Sequence, residues 1–446
     1  MDFRLKSGLS TILAMLRYYR KVLIDLKTQI NELSRDLDNH ELLFKLQCSL
    51  IKRITNTEKK IISHKVTRDS LKPKLIEKGL SKRISKAVIH RISALDRRIG
   101  QFQWMLYIYR SFGDAIAFLY LDKWNIKPLL YDRSTAQVKQ DSGYLTAKEG
   151  LINEFVLVLD AKKNNVPALL CDLTNSIRYG DVCLLGSSVP ELLEVKSSYN
   201  KNRRVNRQLL ELTKVQDYLL NDEGYDVRGA AFCQRVAIRT PERNYIDQLN
   251  MCIAEALEVG HSIKQPEPGF HIFVKATGSP VDYDKVFGAL SQPVPFFLNE
   301  YKNNEWWKSY YPFTLSIRNP EHLFLFLNGD IFILVIIDLG EMAKLADKRR
   351  LRLTPLNDPD MAFQIEGERD YLEGPFVLKI SQHLFTRIAL ECLSLDWVLD
   401  MTEDNISQYQ VLAARDDARL KIGADTRTSG NRLVVVRNPR SSNSSG

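Results

Sequence analysis

Gly180-Asp181-Val182-Cys183-Leu184-Leu185-Gly186-Ser187-Ser188-Val189-Pro190-Glu191-Leu192-Leu193-Glu194-Val195-Lys196 is the stretch whose reading decides the fold. Residues 181–185 form a short apolar run led by an acid, and residues 192–196 form a second run ending in charge. Between them lie Gly186, Ser187, Ser188 and Pro190, residue types that favour turns. The pattern predicts two strands joined as a hairpin. Period-two alternation puts Glu194 and Lys196 on one face and Val195 on the other. Pairing of the runs brings Asp181 toward Glu194, so two carboxylates and an ammonium converge at the edge of a sheet.

Carboxylate oxygens suit Mg2+ or Mn2+, and Mg2+ keeps several waters for a phosphate and a nucleophile. A lysine beside such an ion can orient or deprotonate the attacking water. Asp181…Glu194-Val195-Lys196 resembles the signature of the PD-(D/E)xK nuclease superfamily: an Asp, a turn, then Glu-x-Lys on the next strand. The resemblance covers the middle third of the chain. It implies an α/β fold, a restriction-endonuclease-like mixed sheet flanked by helices, and a Mg2+-dependent endonuclease that hydrolyses phosphodiester bonds, with DNA as the expected substrate. By the same resemblance, Asp181 and Glu194 hold the metal with the Val195 carbonyl, and Lys196 positions or activates water. An acid on the helix before the Asp strand assists the metal. Glu154 suits that part, because Glu149 can pair with Thr146 in a capping box. Gln208, on the helix after Lys196, matches a position that points into the site.

Glu-x-Lys alone says little in a chain of which 26% is charged. A solvated strand edge with an ion pair is the plainer alternative. The apolar strand after Asp181, the proline-bearing turn and the basic amphipathic helix after Lys196 favour the nuclease reading. On that helix and its approach, Lys201, Arg203, Arg204 and Arg207 are candidate phosphate contacts. Cations at a helix start oppose its dipole, so a phosphate there would relieve repulsion.

The remaining sequence sets the frame. The chain has 446 residues, 63 Lys and Arg against 54 Asp and Glu, and a formal charge of +9, which favours polyanionic partners. Six scattered cysteines lack zinc or redox spacing and read as free thiols in a reducing cytosol, hence a cytoplasmic protein. The start lacks an apolar signal core. The most apolar run, 323–339, is interrupted by Asn328-Gly329-Asp330 and reads as two buried strands with a hairpin turn, so no membrane association is expected. Phosphate-binding glycine loops, dinucleotide fingerprints and Gly-x-Ser-x-Gly elbows are absent, which removes built-in NTPases and common hydrolases.

Four segments follow. Residues 1–100 carry apolar positions at three- and four-residue steps and read as a helical hairpin or coiled-coil arm, a candidate homo-oligomer surface. Its later part, from Lys52 to Arg98, is strongly basic and could follow a phosphate backbone or simply be a solvated face. Residues 101–277 hold the nuclease-like core, opened by an apolar helix over 101–124 that carries Asp114. Residues 278–422 read as an α+β domain of short strands followed by a helix that Ser381 caps and that runs to 398. Trp306, Trp307, Tyr310 and Tyr311 there could stack on bases but more often pack in a core. Residues 423–446 read as a disordered tail. Two other functions stay open: a non-catalytic nucleic-acid-binding or scaffold protein, and an effector silent until a protein partner activates it, by analogy with phage-defence nucleases.

Overall fold

The first hundred residues fold as their apolar spacing dictates, into long helices. The computed structural model describes residues 8–75, 81–133, 137–195, 203–227, 230–237, 239–302, 307, 310–371, 374–415, 420–421 and 432–437. Helix α1 (Gly8–Leu33) turns into α2 (His40–Leu71) at Asn39, whose side chain caps α2 by accepting from the Leu42 amide at 3.0 Å. Helix α3 (Lys82–Tyr120) returns along α2, with Arg68 pairing Asp96 and His64 stacking on Phe102. The expected hairpin is there, but position 100 falls inside α3, whose second half is almost wholly buried. The hairpin root is thus part of the core: the buried Lys27 of α1 donates to the Thr314 carbonyl at 2.6 Å.

Helix α4 (Lys123–Leu130) leads to the central unit. There α5 (Leu151–Lys163), β1 (Ala168–Leu170), β2 (Val182–Leu184), β3 (Glu191–Leu193) and α6 (Arg203–Asn221) follow one another. The sheet order is β1-β2-β3, both pairings antiparallel, with Leu170 opposite Val182 and Val182 opposite Leu193. The expected hairpin therefore forms, three residues per strand.

Next come β4 (Glu223–Val227) and β5 (Ala230–Ala237), a second hairpin. The strand Arg432–Arg437 pairs with β5, so these six residues correct the expectation of a disordered tail over 423–446; the tail's remaining residues lie outside the described ones. Helix α7 (Ile246–Val259) packs on β6 (His261–Glu267) and β7 (Phe270–Ala276), which share a sheet of order β6-β7-β9-β8 with β8 (Pro293–Phe297) and β9 (Ile331–Asp338). The β7–β9 register runs from Phe270 opposite Ile337 to Ala276 opposite Ile331, so this sheet straddles the expected boundary at 278. Strands Leu351–Pro355, Met361–Tyr371 and Gly374–Ser381 make another antiparallel sheet.

The fold is a mixture of α-helices and small β-sheets. Every strand pairing among the described residues is antiparallel, in place of the expected mixed sheet. The connections explain it. Neither β1–β2 nor β2–β3 carries the crossover helix a parallel pair needs. The run 323–339 also folds differently from expectation. Asn319 caps a helix over Pro320–Asn328 by accepting from the Glu321 and His322 amides, and Gly329 ends it at φ 77°. Only the second half is a strand. Residues 314–317, expected as a strand, lie in the helical turn Phe313–Ser316 and its cap. The helix capped by Ser381 stops at Leu390 instead of 398, and a new one starts at Leu395 after Cys392 takes φ 51°.

One contiguous cluster of buried apolar residues extends from Leu16 to Met401 and unites the expected segments. Among the described residues no helix is long and apolar enough to cross a membrane.

Candidate active site

Asp181 stands at the entrance of β2. Its amide donates to the Leu193 carbonyl at 2.8 Å, and its Oδ2 accepts from the Val195 amide at 2.8 Å. The Val182–Leu193 register, continued by one residue, sets Asp181 opposite Glu194. Directly opposed residues of an antiparallel pair share a face of the sheet. Gly180 makes the turn possible. It sits at φ 70°, and a Cβ there would lie 3.1 Å from the Leu193 carbonyl oxygen.

The other oxygen of Asp181 reveals a residue that the sequence reading missed. Asp181 Oδ1 accepts from Lys148 Nζ at 2.8 Å. The same ammonium donates to Asp172 Oδ2 at 2.8 Å and lies 2.9 Å from Glu154 Oε1. Three carboxylates from three elements thus close on one cation. Glu154 comes from the first turn of α5, Asp172 from a short 3-10 turn directly after β1, and Asp181 from the approach to β2.

A long-range contact puts Lys148 there. The expected helix from Thr146 does not form; a 3-10 turn (Leu145–Ala147) stands in its place and α5 begins at Leu151. The Thr146 amide and hydroxyl both donate to Oε2 of Glu58, a fully buried acid on α2, at 3.0 and 3.2 Å. Glu149 is left exposed instead of capping, and Lys148 turns toward the acids. The segment before Asp181 is held by Asp114, whose Oδ1 accepts from the Asn175 and Ser176 amides at 2.8 and 2.9 Å. Burial pushes the Asp114 carboxyl up to about 6, and its place is that of a bonded core residue.

Electrostatics bind the cluster. Burial pushes Glu154 up to about 7; the Lys148 ammonium pulls the other way, and Asp181 and Asp172 add to the rise. Burial works against the charge on Lys148, yet Asp172, Asp181 and Glu154 hold its pKa well above the usual lysine range. Glu194 is half-buried just beyond β3, and its charge favours the ammonium of Lys139, which burial otherwise disfavours.

Helix α6 packs against β3, Gln216 donating to the Leu192 carbonyl at 3.1 Å. Arg207 and Gln208 lie exposed on its first half, and among the described residues no hydrogen bond joins Gln208 to the carboxylates. Lys196 and Lys201 lie outside the described residues, as do the side chains of Arg203 and Arg204, whose backbone opens α6. Of the aromatic cluster, Trp307 and Tyr310 are buried and pack on Phe313 and His383, so they belong to the core; Trp306 lies outside the described residues.

Asp172 and Lys148 carry weak sequence signals: an acid directly after an apolar strand, and a lysine in a polar loop. Hard carboxylate oxygens are the donors Mg2+ and Mn2+ take. Glu154, Asp172 and Asp181 already enclose a cation, so the donor set fits a divalent ion in its chemistry, with Lys148 at the centre. Among the described residues, no group of three or more His, Cys, Asp or Glu is disposed as a ready-made metal site. No family model, curated protein or solved structure matches the chain.

Proposed function

We propose that the protein is a metal-dependent nuclease whose centre is built from Asp181, Glu194 and Glu154. One observation carries the reading: the Lys148 ammonium sits among three carboxylates, with Asp181 set by register across from Glu194. Three ionised carboxylates on one ammonium leave a formal excess of negative charge in a half-buried place. Burial answers part of it by raising Glu154. A divalent cation answers it more fully.

Asp181, Glu154 and Glu194 would hold Mg2+ or Mn2+, together with the Val195 carbonyl. The ion supplies Lewis acidity toward a phosphate oxygen and a bound water of lowered pKa. The chain's own part is positioning. Asp181 grips the Val195 amide and so ties the strand ends together. Glu58 and Asp114 fix the two loops that deliver Lys148 and Asp181. Lys148 keeps the acids gathered, and Lys196 is the residue assigned to the attacking water. The basic surface of the chain suits a nucleic-acid substrate, DNA before RNA. An activating protein partner is compatible with the same centre.

A second reading rests on the same cluster. Lys148 already pairs the acids, so the group is complete as an ion-pair network and the protein would bind nucleic acid without cutting it. Incubation of the full chain with plasmid, single-stranded DNA and RNA, under Mg2+, Mn2+ or chelator, separates the two. Cleavage that needs the metal and disappears in Asp181→Ala supports the nuclease. Metal-independent binding with no cleavage in any arm supports the scaffold.

A further inference from the structure

We infer that the far end of the α2–α3 hairpin is a phosphate-backbone grip for a nucleic-acid duplex, separate from the carboxylate centre. It deepens the nuclease reading by placing the substrate contact, and it shares with that reading only the polyanionic partner.

Burial marks where the hairpin leaves the core. Ile61 is the last buried residue of α2, and Leu95 the first buried residue of α3. Beyond them, residues 62–75 and 82–94 face solvent on most sides. At 1.5 Å per residue this tip reaches roughly 20 Å. It contains Lys65, Arg68, Lys72, Lys74, Lys82, Arg83, Lys86 and Arg91, against Asp69 alone. Most of the chain's formal +9 therefore sits on one projection.

These charges are poorly compensated inside the fold. Asp69 serves Arg68 and Lys72, at 3.0 and 2.9 Å, and Asp96 serves Arg68. Lys65 reaches the Tyr144 hydroxyl at 3.3 Å. Among the described residues, no ion pair involves Lys74, Lys82, Arg83, Lys86 or Arg91. Lys82 and Arg83 also stand in the first turn of α3, which has no acid, against the helix dipole. The field is felt nearby: burial lowers His64, and Arg98, Arg91 and Lys60 lower it further. An arrangement this repulsive gains by meeting an anion.

The occupant follows from charge and shape. A duplex carries about one charge per 1.7 Å of axis, so ~20 Å presents on the order of a dozen phosphates, enough for eight cations. A second copy of the same tip would bring like charges together. A membrane surface needs a segregated apolar face. The exposed Ile84 and Ile89 of α3 stand five residues apart, about 140° around the helix, and do not form one.

The test is anisotropy of a labelled duplex with the full chain in chelator, from 50 to 300 mM salt, for wild type and for the variant Lys82→Ala/Arg83→Ala/Lys86→Ala/Arg91→Ala. The account expects affinity to fall at least tenfold in the variant. The slope of log affinity against log salt should become shallower by about 3. Helicity and melting temperature should stay the same. Unchanged affinity and slope overturn the inference while leaving the nuclease reading standing. So does a variant that loses only binding to anionic phosphatidylserine vesicles, or only self-association in sedimentation. Failure to cleave in Mg2+ with the salt effect intact would overturn the nuclease reading and keep the grip.

Discussion

Two concentrations of charge sit on either side of the same helical hairpin, and they obey opposite rules. Around Lys148, acids and a base from four places in the chain are drawn to within 2.9 Å, and little water reaches them. At the hairpin tip, like charges stand exposed with few partners. Buried charge must be matched locally, or the cost of desolvation unfolds the site. Exposed charge can stay unmatched because water and salt screen it. The first arrangement gives geometry, which chemistry needs. The second gives reach, which capture of a polyanion needs. The contrast makes separate demands on substitutions in each place.

The largest effect should come from removing the cation at the centre. Lys148→Ala leaves Glu154, Asp172 and Asp181 facing one another, and unfolding in urea should show a loss of about 3–5 kcal/mol. Added Mg2+ should restore part of this, because it binds where the ammonium was. No loss would mean the cluster is not held by its charges. Glu194→Ala or Asp181→Ala should lower metal-dependent cleavage by on the order of a hundredfold or more. The four-residue tip variant should keep its turnover number and raise KM. A fall in turnover number for the tip variant would merge the two regions into one.

The scaffold of the buried region can be broken without touching charge. Gly113 lies where α3 meets the turn after β1, and a Cβ there would stand 1.9 Å from the Leu173 carbonyl oxygen. Gly113→Ala should cost about 2 kcal/mol in urea unfolding and displace Asp172, while tip substitutions should stay within about 0.5 kcal/mol.

A pH series sharpens the comparison further. Burial lowers Lys27 and Lys302 to about 7, with Arg318 adding to the effect on Lys27. Both ammonium groups are ordinary in the unfolded chain. Between pH 7 and 10 the unfolded state therefore binds more protons than the folded one, and stability rises with pH. Each lysine contributes at most about 1.4 kcal/mol per pH unit. Lys302→Met should flatten the slope, whereas Lys86→Met at the tip should leave it unchanged.

The sequence was readable where the signal is local. Alternation and turn residues over 180–196 imply the hairpin, and the apolar spacing of α1 and α2 implies their buried stripes. What stayed hidden depends on distant partners. A capping box at Thr146 and Glu149 is a sound local reading, but Glu58, far away in sequence, takes the Thr146 hydrogen bonds and frees Lys148 for the acids. Run 323–339 shows the other limit. Short apolar runs do not separate strand from buried helix, and Asn319, Pro320 and Gly329 carried the deciding signals. Strand Arg432–Arg437 lies in a polar tail and exists only by pairing with β5.

The central claim is that the carboxylates at the edge of the β1-β2-β3 sheet do chemistry with a divalent ion. Supercoiled plasmid incubated with the full chain tests it most directly, in Mg2+ and in chelator, beside Glu194→Ala at matched folded concentration. The account predicts nicking or linearisation in Mg2+ alone, and its loss in the variant. Cleavage that persists in Glu194→Ala, or that ignores the chelator, would contradict it.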